Sequence, residues 1–397
     1  MKYSCDKKNI DELAVFGGRS LFDEVRPIGQ LAVPSFSQYW TSLEPIIARG
    51  SFEGGESVER LERALARFHD VDHCITVTNA CLGLIFVMQL LFGEKRGSVI
   101  VPAFTYVGIP HLVRWAGHEP HYCDVEPLRH GLDPSSVAKA IDRSTMGILA
   151  VCSVTGTSAI DELSAVARDS GIPLVLDSVS ALGATYGGRR LGGFGQAEVF
   201  SLHATKLLAG FEGGYVTTNN SQLAAGLRHL RDDVSATASL NEAHAAMALL
   251  ALQALPQTIE RNRERYETYR RSLANIPGMR LLEYVDEARE SYTYQMAFAE
   301  FGSEWPLSRS QTIAIMRAEG AGVMAYYDPP LHRSIYAPHG ITPGPMPIAE
   351  YLAQRFMYLP VGERTSVEDI ERIGGLICFL HDRATVILDR LKRLGIP

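Results

Sequence analysis

The chain lacks the features that would place it in a membrane, in a disulfide scaffold or on a polyanion. No apolar run reaches the roughly 20 residues that a bilayer-spanning helix requires. The opening stretch MKYSCDKKNIDE has no hydrophobic segment, so no signal peptide is expected. Cys5, Cys74, Cys81, Cys123, Cys152 and Cys378 are scattered, and none forms a CxxC pair. That spacing argues against a zinc knuckle or a disulfide framework, predicts no metal site, and fits a reducing cytoplasm. Basic excess is also missing. The net charge is −7, which gives no electrostatic reason to expect nucleic acid or an anionic membrane as partner. What remains is ordinary globular composition, 46% hydrophobic and 21% charged, over 397 residues. A chain of that length is expected to form two domains.

Residues 1–35 are poorly periodic and read as an arm lying on another surface. In ESVERLERALARF (56–68), Val58, Leu61, Leu65 and Phe68 fall on one helical stripe. Short apolar runs then alternate with helical segments. Strands are expected at 73–78, 98–106, 120–125, 146–154, 173–177, 197–202 and 213–218. Helices are expected at 82–92, 107–116, 133–141 and 160–171. Several strands are apolar throughout, the pattern of a mainly parallel sheet covered on both faces. A long helix is expected over 241–276, bent near Pro256. Beyond it the strands thin out and a Pro-rich stretch, 336–351, appears. The expected division is an arm (1–35), a large α/β domain (36–250) and a smaller α+β domain (251–397).

The most informative residue is Lys206, which ends FSLHATK (200–206) and precedes LLAGFEGG. Upstream, Asp177 closes the apolar run IPLVLD (172–177). A lysine on a tight turn and an acid at the end of a buried strand suit pyridoxal 5'-phosphate. The amine can form a Schiff base with the cofactor aldehyde, and the acid can keep the pyridine nitrogen protonated. Either residue alone has a plainer reading, a surface lysine or a helix cap. The junction TNACLG (78–83) lies between a strand and a helix, where backbone N–H groups can hold a phosphate. Tyr106 is either a flat support for the pyridine ring or a core tyrosine. Ser201 either reaches the phosphate or caps its turn. His203 reads first as a structural hydrogen-bonding group, with proton handling as the alternative.

With these residues in place, the chain resembles the DegT/DnrJ/EryC1/StrS sugar aminotransferases, which are fold-type I pyridoxal phosphate enzymes. FSLHATKLLAGFEGGYVTTN is similar to that family's lysine segment, and 99–126, 174–201, 325–336 and 349–370 resemble its other blocks. The resemblance implies a large domain with a mainly parallel seven-stranded sheet and a smaller α+β C-terminal domain. It also implies a homodimer whose partner subunits complete each other's sites. By position, Lys206 is the Schiff-base lysine and proton shuttle, and Asp177 pairs with the pyridinium nitrogen. Tyr106 takes the stacking position, while Ala80, Cys81 and Leu82, with Ser201, take the phosphate positions. Tyr327 and His332 match a segment facing the substrate. The implied activity is amino transfer from an amino acid, glutamate being usual, to a keto sugar or sugar-like keto intermediate in natural-product or polysaccharide biosynthesis.

Four positions depart from the family pattern. Ser180 stands among the cofactor contacts where His or Gln is usual, and Cys81 where a threonine is usual. Glu53, at a substrate-facing position, replaces an amide. Thr237 and Ser239 occupy the Asn and Arg positions of a loop that reaches the partner subunit. The pocket is therefore expected to hold a diphosphate poorly unless Arg189, Arg190 or Arg333 supplies the cation. The altered loop and Ser180 leave a second reading, elimination, replacement or decarboxylation of an amino-acid-like substrate; a third, a catalytically silent regulatory homologue, is opposed by the intact Lys206 and Asp177.

Overall fold

The computed structural model describes residues 6–50, 52, 54–153, 156–234, 237–284 and 290–395. Its centre is a seven-stranded sheet. The strands are β1 (His73–Val77), β2 (Ser98–Pro102), β3 (Glu119–Cys123), β4 (Thr145–Val151), β5 (Leu174–Asp177), β8 (Ala197–Ser201) and β9 (Gly214–Thr218). Their order is β1-β9-β8-β5-β4-β2-β3. Pairings from β3 through β8 are parallel, and only β9 runs against its two neighbours. Strands such as β2 and β5 are buried at every position, as continuous apolar runs require when both faces are covered. The small β6–β7 hairpin (Thr185–Tyr186 and Arg189–Arg190) stands apart from this sheet.

The helices begin with α1 (Phe36–Arg49), α2 (Glu56–His69), α3 (Ala80–Phe92), α4 (Gly108–Trp115), α5 (Pro134–Ala140) and α6 (Ile160–Asp169). Two further helices follow β9: α7 (Ser221–Asp233) and α8 (Glu242–Leu273). The expected stripe on α2 is seen, with Val58, Leu61 and Leu65 buried. Two differences from the sequence expectation have physical causes. The run 98–106 stops pairing as a strand at Pro102, where the chain turns and Ala103 N donates to Cys123 O instead. Helix α3 starts two residues early because the Asn79 side chain caps it, accepting from Leu82 N. Helix α1, absent from the expectation, does carry a sequence signal, a Ser35–Gln38 capping box with Phe36, Tyr39, Trp40, Leu43, Ile46 and Ile47 at helical spacing, although only Ile46 is buried.

Helix α8 is one continuous 32-residue element that carries Pro256 inside it. Its first half packs on α1 and α2. Its second half packs on β10 (Met279–Leu281) and α11 (Val367–Asp382). The C-terminal part is a four-stranded antiparallel sheet in the order β10-β11-β13-β12. Its other strands are β11 (Ala297–Phe301), β12 (Met324–Tyr326) and β13 (Phe356–Leu359), accompanied by α9 (Arg309–Ala318), α10 (Pro347–Ala353) and α12 (Ala384–Leu394). The arm lies on this part. Leu13, Leu21 and Phe22 enter the same core cluster as Tyr269, Leu359 and Ile373. The fully buried Glu319 holds the arm in place by accepting from Ala14 N and Leu21 N at 2.7 Å each.

Candidate active site

In a parallel sheet the strands share a carboxyl edge, and ligands gather there. In this chain β1, β2, β4, β5 and β8 all end on one cavity of about 370 Å³. Its lining includes Ala80 and Cys81 after β1, Tyr106 after β2, Asp177 at the end of β5 with Ser180 just beyond, and Ser201 at the end of β8 with Lys206 in the turn after it. Tyr327 and Met296 close it from the C-terminal part. A wider cleft of about 770 Å³ lies along the arm, but its charges pair with one another, Arg19 with Asp23 and Arg372 with Asp6.

Lys206 and Asp177 bias each other, and burial acts on both. Burial lowers the Lys206 ammonium from its usual range, opposed by Asp177 and Cys81. Burial also pushes the Asp177 carboxyl up to about 6, opposed by a hydrogen bond from Val179 N and by Lys206. The Val179 N–H reaches Asp177 Oδ1 at 3.1 Å. The lysine is thereby drawn toward the neutral, nucleophilic amine, while the acid remains mostly ionised at neutral pH at a cost that a cationic partner would relieve.

The donor set fits pyridoxal phosphate. Four N–H groups at a helix start lack intrahelical partners. At α3 the Asn79 side chain takes Leu82 N at 2.9 Å, and Gly83 N bonds to Asn79 O. The amides of Ala80 and Cys81 are thus left for an anion. Gly214 keeps this end open, since a Cβ there would fall 2.3 Å from Ala80 N. Ser201 Oγ accepts from His203 N at 3.2 Å, which leaves its hydroxyl proton to donate. The sequence reading posed phosphate contact and turn capping as alternatives for Ser201, and the observed geometry permits both.

The other sequence candidates are placed less uniformly. Leu82 lies outside the cavity lining, and its amide is the one Asn79 consumes. His332 is also outside the lining, with Nε2 3.2 Å from Glu350 Oε1. Thr237 and Ser239, expected to reach the partner subunit's site, lie outside this lining. Their loop folds back on its own chain, with Thr78 N bonded to Ala238 O and Thr78 Oγ1 to Thr237 O. Glu53 lies outside the described residues. Glu212, which the sequence reading passed over as part of a glycine turn, lines the cavity opposite His203. His203 Nδ1 accepts from Thr205 N at 3.2 Å, so Nε2 carries the proton toward Glu212 Oε1 at 3.3 Å. Thr105 and Met296 are further lining residues that no motif signalled.

Comparison with known proteins agrees with this geometry. Residues 38–377 match the DegT/DnrJ/EryC1/StrS aminotransferase family. The erythromycin biosynthesis sensory transduction protein EryC1 of Saccharopolyspora erythraea is 30% identical over 343 residues, covering 83% of this chain and 91% of that protein. L-glutamine:2-deoxy-scyllo-inosose aminotransferase of Micromonospora echinospora is 26% identical over 363 residues, covering 81% and 86%. The crystal structure of DesI with its TDP-sugar product superposes with a TM-score of 0.87 at 31% identity, covering 97% of this chain and 100% of that one.

Proposed function

Because this chain belongs to the DegT/DnrJ/EryC1/StrS aminotransferase family, we propose that it transfers the amino group of an amino acid, with glutamate as donor, to a keto sugar or sugar-like keto intermediate in a biosynthetic pathway. The observation that carries this reading is that Lys206 and Asp177 line one cavity, with the lysine drawn by burial toward the neutral amine that a Schiff base requires. Pyridoxal phosphate, when bound, supplies an electron sink and a carrier for the amine. Lys206 holds the cofactor and moves a proton at its Nζ. Asp177 keeps the ring nitrogen protonated. The Ala80 and Cys81 amides and the Ser201 hydroxyl hold the phosphate, and Tyr106 supports the ring. Ser180 borders Asp177, and Tyr327 bounds the substrate side.

An intact lysine–carboxylate pair favours catalysis over a purely regulatory role, whatever name a relative carries. Two relatives, an inosose aminotransferase and an enzyme with a TDP-sugar product, act on compounds within the proposed acceptor class. Within that class we favour an acceptor with little or no phosphate. Arg189 lies over the Phe194 ring at 4.4 Å and Arg190 over Phe68 at 4.2 Å, while Arg333 pairs with Glu350 at 2.5 Å. Among the described residues, the cavity lining holds no arginine.

A homodimer is part of the same proposal. Helix α1 leaves Phe36 (79%) and Trp40 (49%) exposed beside the site, with Tyr39 edge-on to Phe211 in the lysine turn. That apolar surface suits a second copy. No helix among the described residues is long and apolar enough to cross a membrane, and a cytoplasmic location is proposed on the cysteine argument.

The test is direct. The purified protein should be yellow, and borohydride should trap the cofactor on a peptide containing Lys206. Glutamate should bleach the colour and release 2-oxoglutarate. Failure of every amino acid to do so would refute the aminotransfer reading. Tight, saturable binding of a nucleoside-diphosphate sugar, lost with the free sugar, would refute the phosphate-poor acceptor.

A further inference from the structure

Gln30 sits in the arm, 1% exposed, with each of its four polar groups bonded to a different segment. Its N–H donates to Thr205 O at 2.9 Å, and its carbonyl accepts from Glu363 N at 2.8 Å. Its side-chain Nε2 donates to Gln295 O at 2.7 Å, and Oε1 accepts from Asn262 Nδ2 at 2.6 Å. Gln295 then sends its own Nε2 to Ser180 O at 2.9 Å. The lysine turn, α8, the approach to β11 and the loop after β13 therefore meet at one residue. Two of these links end at the cavity: Thr205 adjoins Lys206, and Ser180 lies on the turn that follows Asp177. The joint is tight. Gly362 has φ +118, and a Cβ there would fall 2.4 Å from Gly29 O.

We propose that Gln30 is a positioning residue, which fixes the Lys206 amine relative to Asp177 through Thr205 on one side and Gln295–Ser180 on the other. This rests on the cofactor roles given to Lys206 and Asp177 above. A buried amide with every group bonded holds its neighbours strongly, because any partner left behind remains buried and unpaired. Gln30 makes no contact with the cavity and acts only through the residues that do.

The test variant is Gln30→Met, which keeps the volume and removes both side-chain bonds. Tyr269→Phe is the control. It removes another buried bond to the C-terminal part, Tyr269 Oη to Pro360 O at 2.8 Å, and has no bond to the lysine turn. Three quantities are read: thermal stability, cofactor affinity by visible absorbance, and the pH midpoint of the bound cofactor's absorbance. Both variants should lose stability. Only Gln30→Met should bind cofactor about tenfold more weakly and shift the absorbance midpoint. Wild-type affinity and midpoint in Gln30→Met would overturn the proposal, as would an equal shift in Tyr269→Phe. If Gln30→Met does not fold, Gln295→Met cuts the same link at Ser180 and is read identically. A wild-type chain that takes up no cofactor overturns the underlying cofactor reading as well. Wild-type uptake with an unaltered variant overturns this inference alone.

Discussion

Replacing Asp177 with asparagine should make the cofactor-free protein more stable and the enzyme nearly inactive. The carboxyl is buried, and burial moves it from an ordinary 3.8 to about 6, which corresponds to a cost of roughly 3 kcal/mol for keeping it ionised at neutral pH. The sign follows from proton binding. Between pH 4 and 6 the folded protein holds a proton at Asp177 that the unfolded chain has released. Stability from this group is thus fully present below about 3.8 and is lost as pH rises through about 6. Asparagine is neutral throughout and can still accept from Val179 N through Oδ1. Urea unfolding of the cofactor-free proteins at pH 8 should therefore favour Asp177→Asn by about 2–3 kcal/mol, less whatever attraction to Lys206 is lost. The gap should close toward pH 4. With cofactor present the order should reverse, and turnover should fall by on the order of a hundredfold or more. A cofactor-free Asp177→Asn protein less stable than wild type at pH 8 would refute the burial argument. An unchanged rate with saturating cofactor would refute the assignment of Asp177 to the ring nitrogen.

The other expectations are simpler to read. Lys206→Ala should fold but lose multiple turnover and borohydride trapping, since no other lysine lines the cavity among the described residues; wild-type-like turnover would overturn the central assignment. Asn79→Ala should cost about 1 kcal/mol by removing the cap on Leu82 N. It should also weaken phosphate retention by freeing the α3 end to fray, and unchanged stability and cofactor affinity together would count against that capping role. Light scattering should report a dimer, and Trp40→Asp on α1 should weaken it; a wild-type monomer that turns over substrate would refute the shared-site proposal.

The large sheet was legible because its strands are buried on both faces. Such strands must be apolar throughout, and their alternation with capped helices leaves a local signature in β2, β4 and β5. Lys206 and Asp177 were legible for a related reason, since a charged residue ending or following an apolar run stands out against it. Helix α1 was also legible, through its Ser35–Gln38 capping box and the stripe of Phe36, Tyr39, Trp40, Leu43, Ile46 and Ile47, but only Ile46 of that stripe is buried and it does not mark an inward face. Helix α7 carried a usable signal that was passed over: the Asn220 cap with Leu223 and Leu227 on one stripe. Glu212 was hidden inside a turn read only for its glycines.

The sequence by itself thus determined the α/β class, the family resemblance and the lysine–carboxylate pair, all of which depend on patterns a few residues long. Tertiary structure alone decided which candidates share the cavity. It drew Leu82 N to Asn79, His332 to Glu350 and the Thr237 loop back to Thr78, while bringing Met296 and Glu212 to the cavity. It also placed Gln30 between Thr205, Asn262, Gln295 and Glu363. No local pattern marks such a residue. Its polar groups are satisfied only when segments far apart in the chain close around it, and that closure is a property of the packed fold.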